Sequence, residues 1–310
     1  MDARSREVTG LGGLIAEHAV VIVRASGATW SEGAVWLPET ESIRWSDIPG
    51  NRILEYSTRD EAVSVYATEV EYTNGRTLDL DGTVIQCSHG LRRIERDDHG
   101  VVTPIVDSYN GVRLNSPNDV IVASDGSIWF SDPPYGIIVA TEGHPGVREY
   151  GDHFVFRHDS TTGETRPVVI DVEEPNGLAF SPDETVLYVS DTSAASHTDG
   201  GGNHHIRAYD IVDGRAKNGR VFAVIDEGLS DGFRVDVEGN LWTSSETGIL
   251  VYSSDGELLG TIPVPEKVAN LCFGGVDGTE LFIVASTSLY SIPTLTRDAA
   301  IALRASVAVS

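Results

Sequence analysis

Four short polar segments of the chain carry side chains suited to binding a cation. They are Ser31-Glu32-Gly33, Ser116-Pro117-Asn118-Asp119, Glu174-Pro175-Asn176-Gly177 and Ser230-Asp231-Gly232. Each precedes an apolar stretch of the kind that forms a buried strand. Carboxylate and amide oxygens suit hard divalent cations such as Ca²⁺, Mg²⁺ or Mn²⁺, whereas Zn²⁺ usually recruits His or Cys. If the segments converge, two carboxylates and two amides form a cage for one divalent cation: Glu32, Asn118, Asn176 and Asp231.

Each segment taken alone is also typical of a turn, because Asn, Asp and Gly tolerate positive φ. Glu32 does not fit that interpretation, since Glu is a poor turn former. The four segments also share one position relative to the strand that follows each of them. This recurrence favours a binding site over four unrelated turns.

Six hydrophobic runs repeat along the chain at the spacing of propeller blades. Their second residues are Ile43, Val84, Ile128, Leu187, Leu241 and Leu281, so the runs lie 41, 44, 59, 54 and 40 residues apart. A unit of about 40–50 residues with several short strands is typical of one blade. A β-sandwich or a right-handed β-helix has a shorter period. The sequence therefore predicts an all-β, six-bladed β-propeller with a central metal-binding channel, in which each polar segment begins an innermost strand.

The two longest spacings predict insertions, at residues 136–152 and 192–203. No break in composition divides the chain, so we expect an N-terminal tail at 1–18 and a single propeller domain at 19–310. A ring avoids free strand edges by closing on itself. We therefore expect the first strand, near residues 19–24, to pair within the blade that holds residues 281–292.

Composition limits the classes of partner. The chain has 47 acidic and 22 basic side chains and a formal net charge of −25, which disfavours nucleic acid and anionic membranes. Cys87 and Cys272 are far apart and form no CxxC motif, so reduced thiols are expected. The N-terminus has no clean signal-peptide core. These features predict a cytoplasmic monomer or small homo-oligomer.

The order and spacing of several motifs resemble those of the regucalcin/gluconolactonase family, also called the senescence-marker-protein family. The likeness runs from about residue 23 to 293 and is greatest to the bacterial sugar-lactonase branch. It implies a six-bladed propeller with one divalent cation at the axis, held by Glu32, Asn176 and Asp231. It also implies that Asn118 belongs to the same shell or touches substrate. The motifs are SEGAVW at 31–36, RLNSPND at 113–119, DGSIWFSDPPYG at 125–136, EPNGLAFSPD at 174–183 and DGFRVD at 231–236.

The resemblance further implies hydrolysis of a sugar lactone to its aldonic acid. The cation would polarise the lactone carbonyl while a water attacks it. We expect Asp231 to take the proton of that water, with a hydroxide formed at the metal as the alternative nucleophile. Ca²⁺ is the favoured ion, and Mg²⁺, Mn²⁺, Zn²⁺ or Fe²⁺ stay open because oxygen cages discriminate weakly. The absence of a GxSxG motif disfavours serine catalysis.

A second set of residues forms candidates for substrate binding. His89 follows a predicted strand and either donates to a sugar hydroxyl or satisfies local backbone. Asp132 either faces the channel or caps a strand, and Arg113 either anchors a carboxylate product or pairs with a surface acid. We expect His197, His204 and His205 to lie in a mobile, solvated loop. The candidate substrate-binding residues are Asn115, Asn118, His89, Asp132 and Arg113.

Two other functions fit the same features. One is hydrolysis of other esters or of phosphotriesters at the same site. The other is a non-catalytic propeller that only binds calcium. A pure scaffold has no reason to retain the complete ligand set, which favours the enzyme.

Overall fold

The computed structural model describes residues 7–300 as a ring of six four-stranded antiparallel sheets. The six-bladed β-propeller predicted from the sequence is therefore confirmed. The polypeptide enters each blade on its innermost strand and leaves on its outermost strand, except in the last blade. Each hydrophobic run noted in the sequence is the second strand of its blade.

Strand β1 (Ile22–Ser26) precedes the first complete blade. Blade 1 contains β2 (Ser31–Leu37), β3 (Ser42–Asp47), β4 (Arg52–Ser57) and β5 (Ala62–Thr68). Blade 2 contains β6 (Thr73–Leu78), β7 (Val84–Ser88), β8 (Arg93–Asp98) and β9 (Val101–Val106). A small hairpin of β10 (Ser108–Tyr109) and β11 (Val112–Arg113) follows. Blade 3 contains β12 (Val120–Val122), β13 (Ile128–Ser131), β14 (Val155–His158) and β15 (Thr165–Val169), with the short helix α1 (Tyr135–Ile138) between β13 and β14.

Blade 4 contains β16 (Pro175–Phe180), β17 (Val186–Asp191), β18 (His205–Val212) and β19 (Arg215–Val224), with a 3₁₀ turn at Ser193–Ala195. Blade 5 contains β20 (Phe233–Val235), β21 (Leu241–Ser244), β22 (Gly248–Tyr252) and β23 (Leu258–Pro263). Blade 6 contains β24 (Val268–Gly274), β25 (Glu280–Ala285) and β26 (Ser288–Pro293). The connections from β13 to β14 and from β17 to β18 hold the two predicted insertions. No helix within residues 7–300 is long and apolar enough to cross a bilayer.

The ring closes through blade 6. Strand β1 pairs antiparallel with β26, with Ile22 opposite Ser291 and Ser26 opposite Ser288. The predicted closure is confirmed, and the closing strand lies two or three residues later than expected. Arg24 strengthens the joint, because its guanidinium donates to Ser291 Oγ at 2.8 Å and to Glu280 Oε1 at 2.9 Å.

The predicted tail is packed against the propeller where it is described. Thr9 forms a bridge with Thr261, and Ile15 forms one with Thr294. Leu11 and Ile15 are buried in the apolar cluster shared by blades 5 and 6. Residues 1–6 and 301–310 of the predicted tail and domain lie outside the described residues.

Apolar side chains pack between neighbouring blades all round the ring. Trp36 stacks on Phe282 between blades 1 and 6, with ring centroids 5.8 Å apart. Trp129 meets Phe180 edge-on between blades 3 and 4, at 5.2 Å. Burial of such large side chains is worth about 2 kcal/mol each. This packing fixes the six inner strands relative to one another, and so fixes the side chains at their ends.

Candidate functional site

Six polar side chains, one from each blade, lie at or beside the start of the innermost strands. Four of them belong to the segments singled out in the sequence, and two, Asn74 and Asn270, do not. We call this set the polar ring. Its members are Glu32, Asn74, Asn118, Asn176, Asp231 and Asn270.

Direct contacts join the members of the polar ring. Asn270 Nδ2 donates to Glu32 Oε2 at 3.1 Å. The carboxyl group of Asp231 lies close enough to Glu32 and Asn176 to interact electrostatically with both. The structure therefore brings three of the four predicted ligands into one connected group, although Asn270 and Glu32 are 238 residues apart.

Asn118, the fourth predicted ligand, joins the ring through Asn74. Asn74 Nδ2 donates to Asn118 Oδ1 at 2.9 Å and also contacts His89 Nε2 at 3.2 Å. Asn74 Oδ1 is buried and has no hydrogen-bond partner. A buried amide oxygen without a partner is costly, so this atom is suited to a ligand at the axis.

Close packing of the inner strands explains why a glycine so often follows the ring residue. A Cβ atom on Gly33 would lie 2.2 Å from Asn74 O, and one on Gly177 would lie 2.2 Å from Asp231 O. Both glycines sit in strands with an irregular register, not in hairpin turns. The recurring Gly is therefore a requirement of blade-to-blade contact at the axis.

Electrostatics of the ring favour a bound cation. Burial, followed by repulsion from Asp231, raises the pKa of Glu32 well above its usual value. Burial likewise raises the pKa of Asp231 to about 6. Two adjacent carboxylates removed from water are unfavourable unless a positive charge offsets them. A divalent cation fits this need.

The types of side chain in the polar ring determine which ligand atoms a bound cation would have. Among residues 7–300, no group of three or more His, Cys, Asp and Glu side chains is arranged to hold a metal. An ion in the ring would therefore depend on amide oxygens in addition to Glu32 and Asp231. Such an all-oxygen set suits Ca²⁺ or Mg²⁺ better than Zn²⁺.

His89 lies beside the ring, with both ring nitrogens engaged by protein. Since the Asn74 amide nitrogen can only donate, His89 Nε2 accepts from it. His89 Nδ1 then carries the proton and donates to the backbone oxygen of Glu142 at 3.0 Å. Burial lowers the pKa of His89 to about 4, so the neutral ring links the polar ring to the first insertion.

Asn115 and Asp132 bind each other. Asp132 Oδ2 accepts from the Asn115 backbone N–H at 2.7 Å and from the Tyr150 hydroxyl at 2.8 Å. Asp132 Oδ1 accepts from the Ser116 N–H at 2.8 Å. Asn115 Nδ2 donates to Asp132 O and Tyr150 Oη. This arrangement braces the segment that leads to Asn118.

Arg113 is exposed at the rim. Its guanidinium donates to Leu91 O at 3.2 Å, and its backbone N–H donates to Glu149 Oε2 at 3.0 Å. The structure places it on hairpin β10–β11, outside the ring contacts. Its role as a substrate anchor stays a prediction, as do those of Asn115, Asp132 and His89.

The histidines near the second insertion contact different partners, and the expected mobility of their loop stays a prediction. His197 Nε2 lies 2.7 Å from Glu173 Oε1, and His204 Nδ1 lies 2.6 Å from Ile225 O. His205 begins strand β18. Strand pairing and an ion pair hold these side chains in separate places.

Both insertions meet at the mouth of the channel. The Tyr135 hydroxyl on α1 lies 2.6 Å from Thr192 Oγ1, which also accepts from Asn176 Nδ2 at 3.3 Å. Ser196 Oγ donates to Glu174 Oε2 at 2.8 Å. The two insertions therefore surround the polar ring on one side of the propeller.

The far end of the channel has a different character. Arg76, fully buried on β6, donates to Gly33 O at 2.7 Å and to Ser46 Oγ at 2.6 Å. Beyond it lies an apolar cavity of about 350 Å³ that is lined in part by Trp36 and Phe180. No member of the polar ring lines this cavity, so it is separate from the candidate site.

Sequence reasoning missed Asn74 and Asn270, although a signal for them exists. Each ring residue precedes the second residue of its blade's hydrophobic run by ten or eleven positions. Asn74 precedes Val84 by ten, and Asn270 precedes Leu281 by eleven. A glycine follows Asn74, as it follows Glu32, Asn176 and Asp231, whereas Leu271 follows Asn270.

Comparisons with known proteins agree with this fold. A family model described as "SMP-30/Gluconolactonase/LRE-like region" matches residues 30–287. A gluconolactonase from Zymomonas mobilis is 33% identical over 300 residues, which cover 88% of this chain and 81% of that protein. A pentonolactonase from Haloferax volcanii is 29% identical over 262 residues, covering 82% of this chain and 81% of that protein.

Solved structures give the same result. A gluconolactonase from Xanthomonas campestris superposes with a TM-score of 0.86 at 39% identity, covering 93% of each chain. A regucalcin from Agrobacterium tumefaciens superposes with a TM-score of 0.72 at 18% identity, covering 90% of this chain and 96% of that one, which supports the fold alone. The fold and the ring define a six-bladed propeller with an oxygen-rich axial site. The chain belongs to the SMP-30/gluconolactonase/LRE-like family.

Proposed function

We propose that this protein is a metal-dependent sugar lactonase, which hydrolyses an aldonolactone to the aldonic acid. Membership in the family makes it a lactonase, a carboxylic-ester hydrolase that acts on a small-molecule lactone. The observation that carries the metal requirement is that Glu32, which is buried, and Asp231, which is half-buried, lie next to each other within a ring of amides. A cation is the partner that this pair lacks.

In this proposal Glu32, Asn176 and Asp231 hold one divalent cation, with Asn118 in the same shell or on the substrate. When bound, such a cation polarises the ester carbonyl and stabilises negative charge that develops on its oxygen. An all-oxygen donor set favours Ca²⁺.

Asp231 is the proposed proton acceptor. Asp231 is half-buried at the mouth, so a water can approach its carboxylate. Even in the metal-free protein, where burial raises its pKa to about 6, the group is ionised at neutral pH, as a proton acceptor must be. Asp231 takes the proton of the attacking water and then returns it to the ring oxygen that leaves the acyl carbon.

The buried, free thiols of Cys87 and Cys272 support a further proposal, a cytoplasmic location, because thiols persist in reducing compartments. The predicted monomer or small homo-oligomer, and the absence of nucleic-acid and membrane partners, stay predictions.

Proton release from a panel of aldonolactones tests the function. The protein is stripped with EDTA and single metals are added back. We expect turnover of a five- or six-carbon sugar lactone that is lost on stripping and restored by one divalent ion. Full activity after stripping would contradict the metal requirement. No turnover of any lactone with any metal would contradict the reaction, and the same proteins would then be tried on other esters and phosphotriesters.

Substitution of the carboxylates tests the site. We expect Glu32→Gln and Asp231→Asn each to lower kcat at least about 100-fold and to weaken metal binding in calorimetric titration. Glu164→Gln, which makes the same change of charge on an exposed turn, is the matched control and should leave both unchanged. Wild-type rates in both site variants would exclude the polar ring as the active site.

A further inference from the structure

The first insertion holds one acidic side chain over the mouth of the channel. Two contacts hold the end of segment 133–144 in place. His89 Nδ1 donates to the backbone oxygen of Glu142 at 3.0 Å, and His144 Nε2 lies 2.9 Å from Glu71 Oε2. The segment therefore has a defined position on the rim, next to the polar ring.

The carboxylate of Glu142 has no partner. It is half-buried, and among residues 7–300 it makes no hydrogen bond or ion pair. It lies close enough to Asp231 that repulsion adds to burial in raising its pKa to about 7. An unpaired carboxylate beside another acid is unfavourable in the free protein. Glu142 therefore does not stabilise the fold, and we infer that it acts on the substrate that enters the site or the product that leaves it.

Basic side chains near the mouth do not neutralise Glu142. Lys267 acts on Asp231 but lies 3.7 Å from Glu246, with which it pairs. Arg92 donates to the backbone carbonyl groups of Leu114 and Val147. It also forms an ion pair with Glu149. A cation in the ring would offset Glu32 and Asp231, and the charge of Glu142 would remain.

A second, independent observation indicates that a ligand lies below Glu142. Asn74 is 4% exposed, and its Oδ1 has no hydrogen-bond partner while its amide nitrogen is held by Asn118 and His89. The amide oxygen is thus turned into the polar ring. Asn74 and Glu142, which His89 links, both present acceptors, which suit the hydroxyl groups of a sugar.

We propose that Glu142 is a charge filter, a specificity-determining residue that favours neutral polyhydroxylated lactones and promotes release of the anionic aldonate product. This inference rests on the proposed lactonase function. In that reaction the bond between the acyl carbon and the ring oxygen breaks, and a new bond forms to the water oxygen. The ring oxygen keeps one proton and the acid loses the other. A neutral substrate thus becomes an anion in front of the carboxylate of Glu142, and when that carboxylate is ionised the like charges repel across a poorly solvated mouth.

Equilibrium binding tests the charge filter without turnover. Gluconate and its neutral isostere gluconamide are titrated into wild type, Glu142→Gln and the control Glu164→Gln at pH 8, in the metal-loaded and the EDTA-treated state. We expect Glu142→Gln to bind gluconate roughly tenfold more tightly and gluconamide within about twofold of wild type. Glu142→Asp retains the charge and should retain weak gluconate binding.

Three results would overturn the charge filter. They are unchanged gluconate affinity in Glu142→Gln, an equal gain for gluconate and gluconamide, and no gluconate binding in any of the proteins. An equal gain would mean that removal of bulk or of hydration, not of charge, was responsible. Melting temperatures of the variants confirm that each is folded.

Kinetics separate this inference from the proposed function. With glucono-1,5-lactone and its 6-phosphate as substrates, Glu142→Gln should raise the ratio of kcat/KM for the phosphorylated over the neutral lactone roughly tenfold. An unchanged ratio in an active enzyme would overturn the charge filter and leave the lactonase proposal intact. Absence of lactone turnover in wild type, with the predicted change in gluconate binding, would contradict the lactonase proposal instead.

Discussion

Asp132 shows how a polar residue near a site can serve the structure around it. Its carboxylate accepts hydrogen bonds from two backbone N–H groups, of Asn115 and Ser116, and from the Tyr150 hydroxyl. The residue is fully buried, and burial raises its pKa to about 7. Its atoms are thus committed to the protein, which favours a bracing role over the contact with substrate predicted from the sequence.

We expect Asp132→Ala to lower the free energy of unfolding by about 3 kcal/mol, because it leaves buried donors unpaired. Asp183 is a matched control: it accepts three comparable hydrogen bonds, from Ser181 and Thr185, but is exposed. Asp183→Ala should cost less than about 1 kcal/mol. Urea titration measures both. A rise in KM for Asp132→Ala at unchanged stability would instead support the substrate contact.

Asp231 makes the metal-free protein sensitive to pH. Its pKa is higher in the folded state, about 6, than in an unfolded chain. The stability it contributes is therefore present at low pH and is lost as the pH rises from about 4 to about 6. In EDTA we expect Asp231→Asn to gain about 2 kcal/mol relative to wild type between pH 4.5 and 7.5. Added Ca²⁺ should reverse the order, and a difference between the two proteins that is independent of pH would contradict this account.

At the level of the element, the inner strands depend on glycine where neighbouring backbones touch. A Cβ on Gly177 would lie 2.2 Å from Asp231 O, whereas one on Gly12 would meet nothing within 4 Å. We expect Gly177→Ala to cost about 3 kcal/mol, because backbone cannot move aside cheaply. Gly12→Ala should stay within about 0.5 kcal/mol of wild type. Equal midpoints in denaturant for both variants would show that the blades are not closely packed at the axis.

The blade elements were predictable because each repeats one pattern, a polar residue followed by an apolar strand and a turn. The insertions were predictable only as extra length. Their spacing did not predict that His89 bridges Asn74 and Glu142, since the contact between His89 and Glu142 joins blade 2 to blade 3. The spacing of apolar residues in a strand predicts which side chains are buried. It does not predict which side chains contact each other between blades.

At the level of the whole molecule, the ring is held shut by its first and last strands. Arg24 links β1 to blade 6 through Glu280 at 2.9 Å in a half-buried setting. Arg59 and Glu41 form a pair of the same length on the exposed surface. We expect Arg24→Ala to lower the free energy of unfolding by about 1–2 kcal/mol and Arg59→Ala by less than about 0.5 kcal/mol. Calorimetry measures both, and equal losses would mean that closure rests on β1 backbone pairing alone.

The sequence by itself determined the propeller, its closure and four members of the polar ring, because the blade repeat is long and each repeat carries its polar residue at the same position. Tertiary structure alone decided the rest. It brought Asn270 to Glu32 across 238 residues, and it joined Asn115 to Asp132 and to Tyr150. The physical reason is that a hydrogen bond depends on where two side chains point after the blades have packed. That packing is a property of all six blades together, and no single motif contains it.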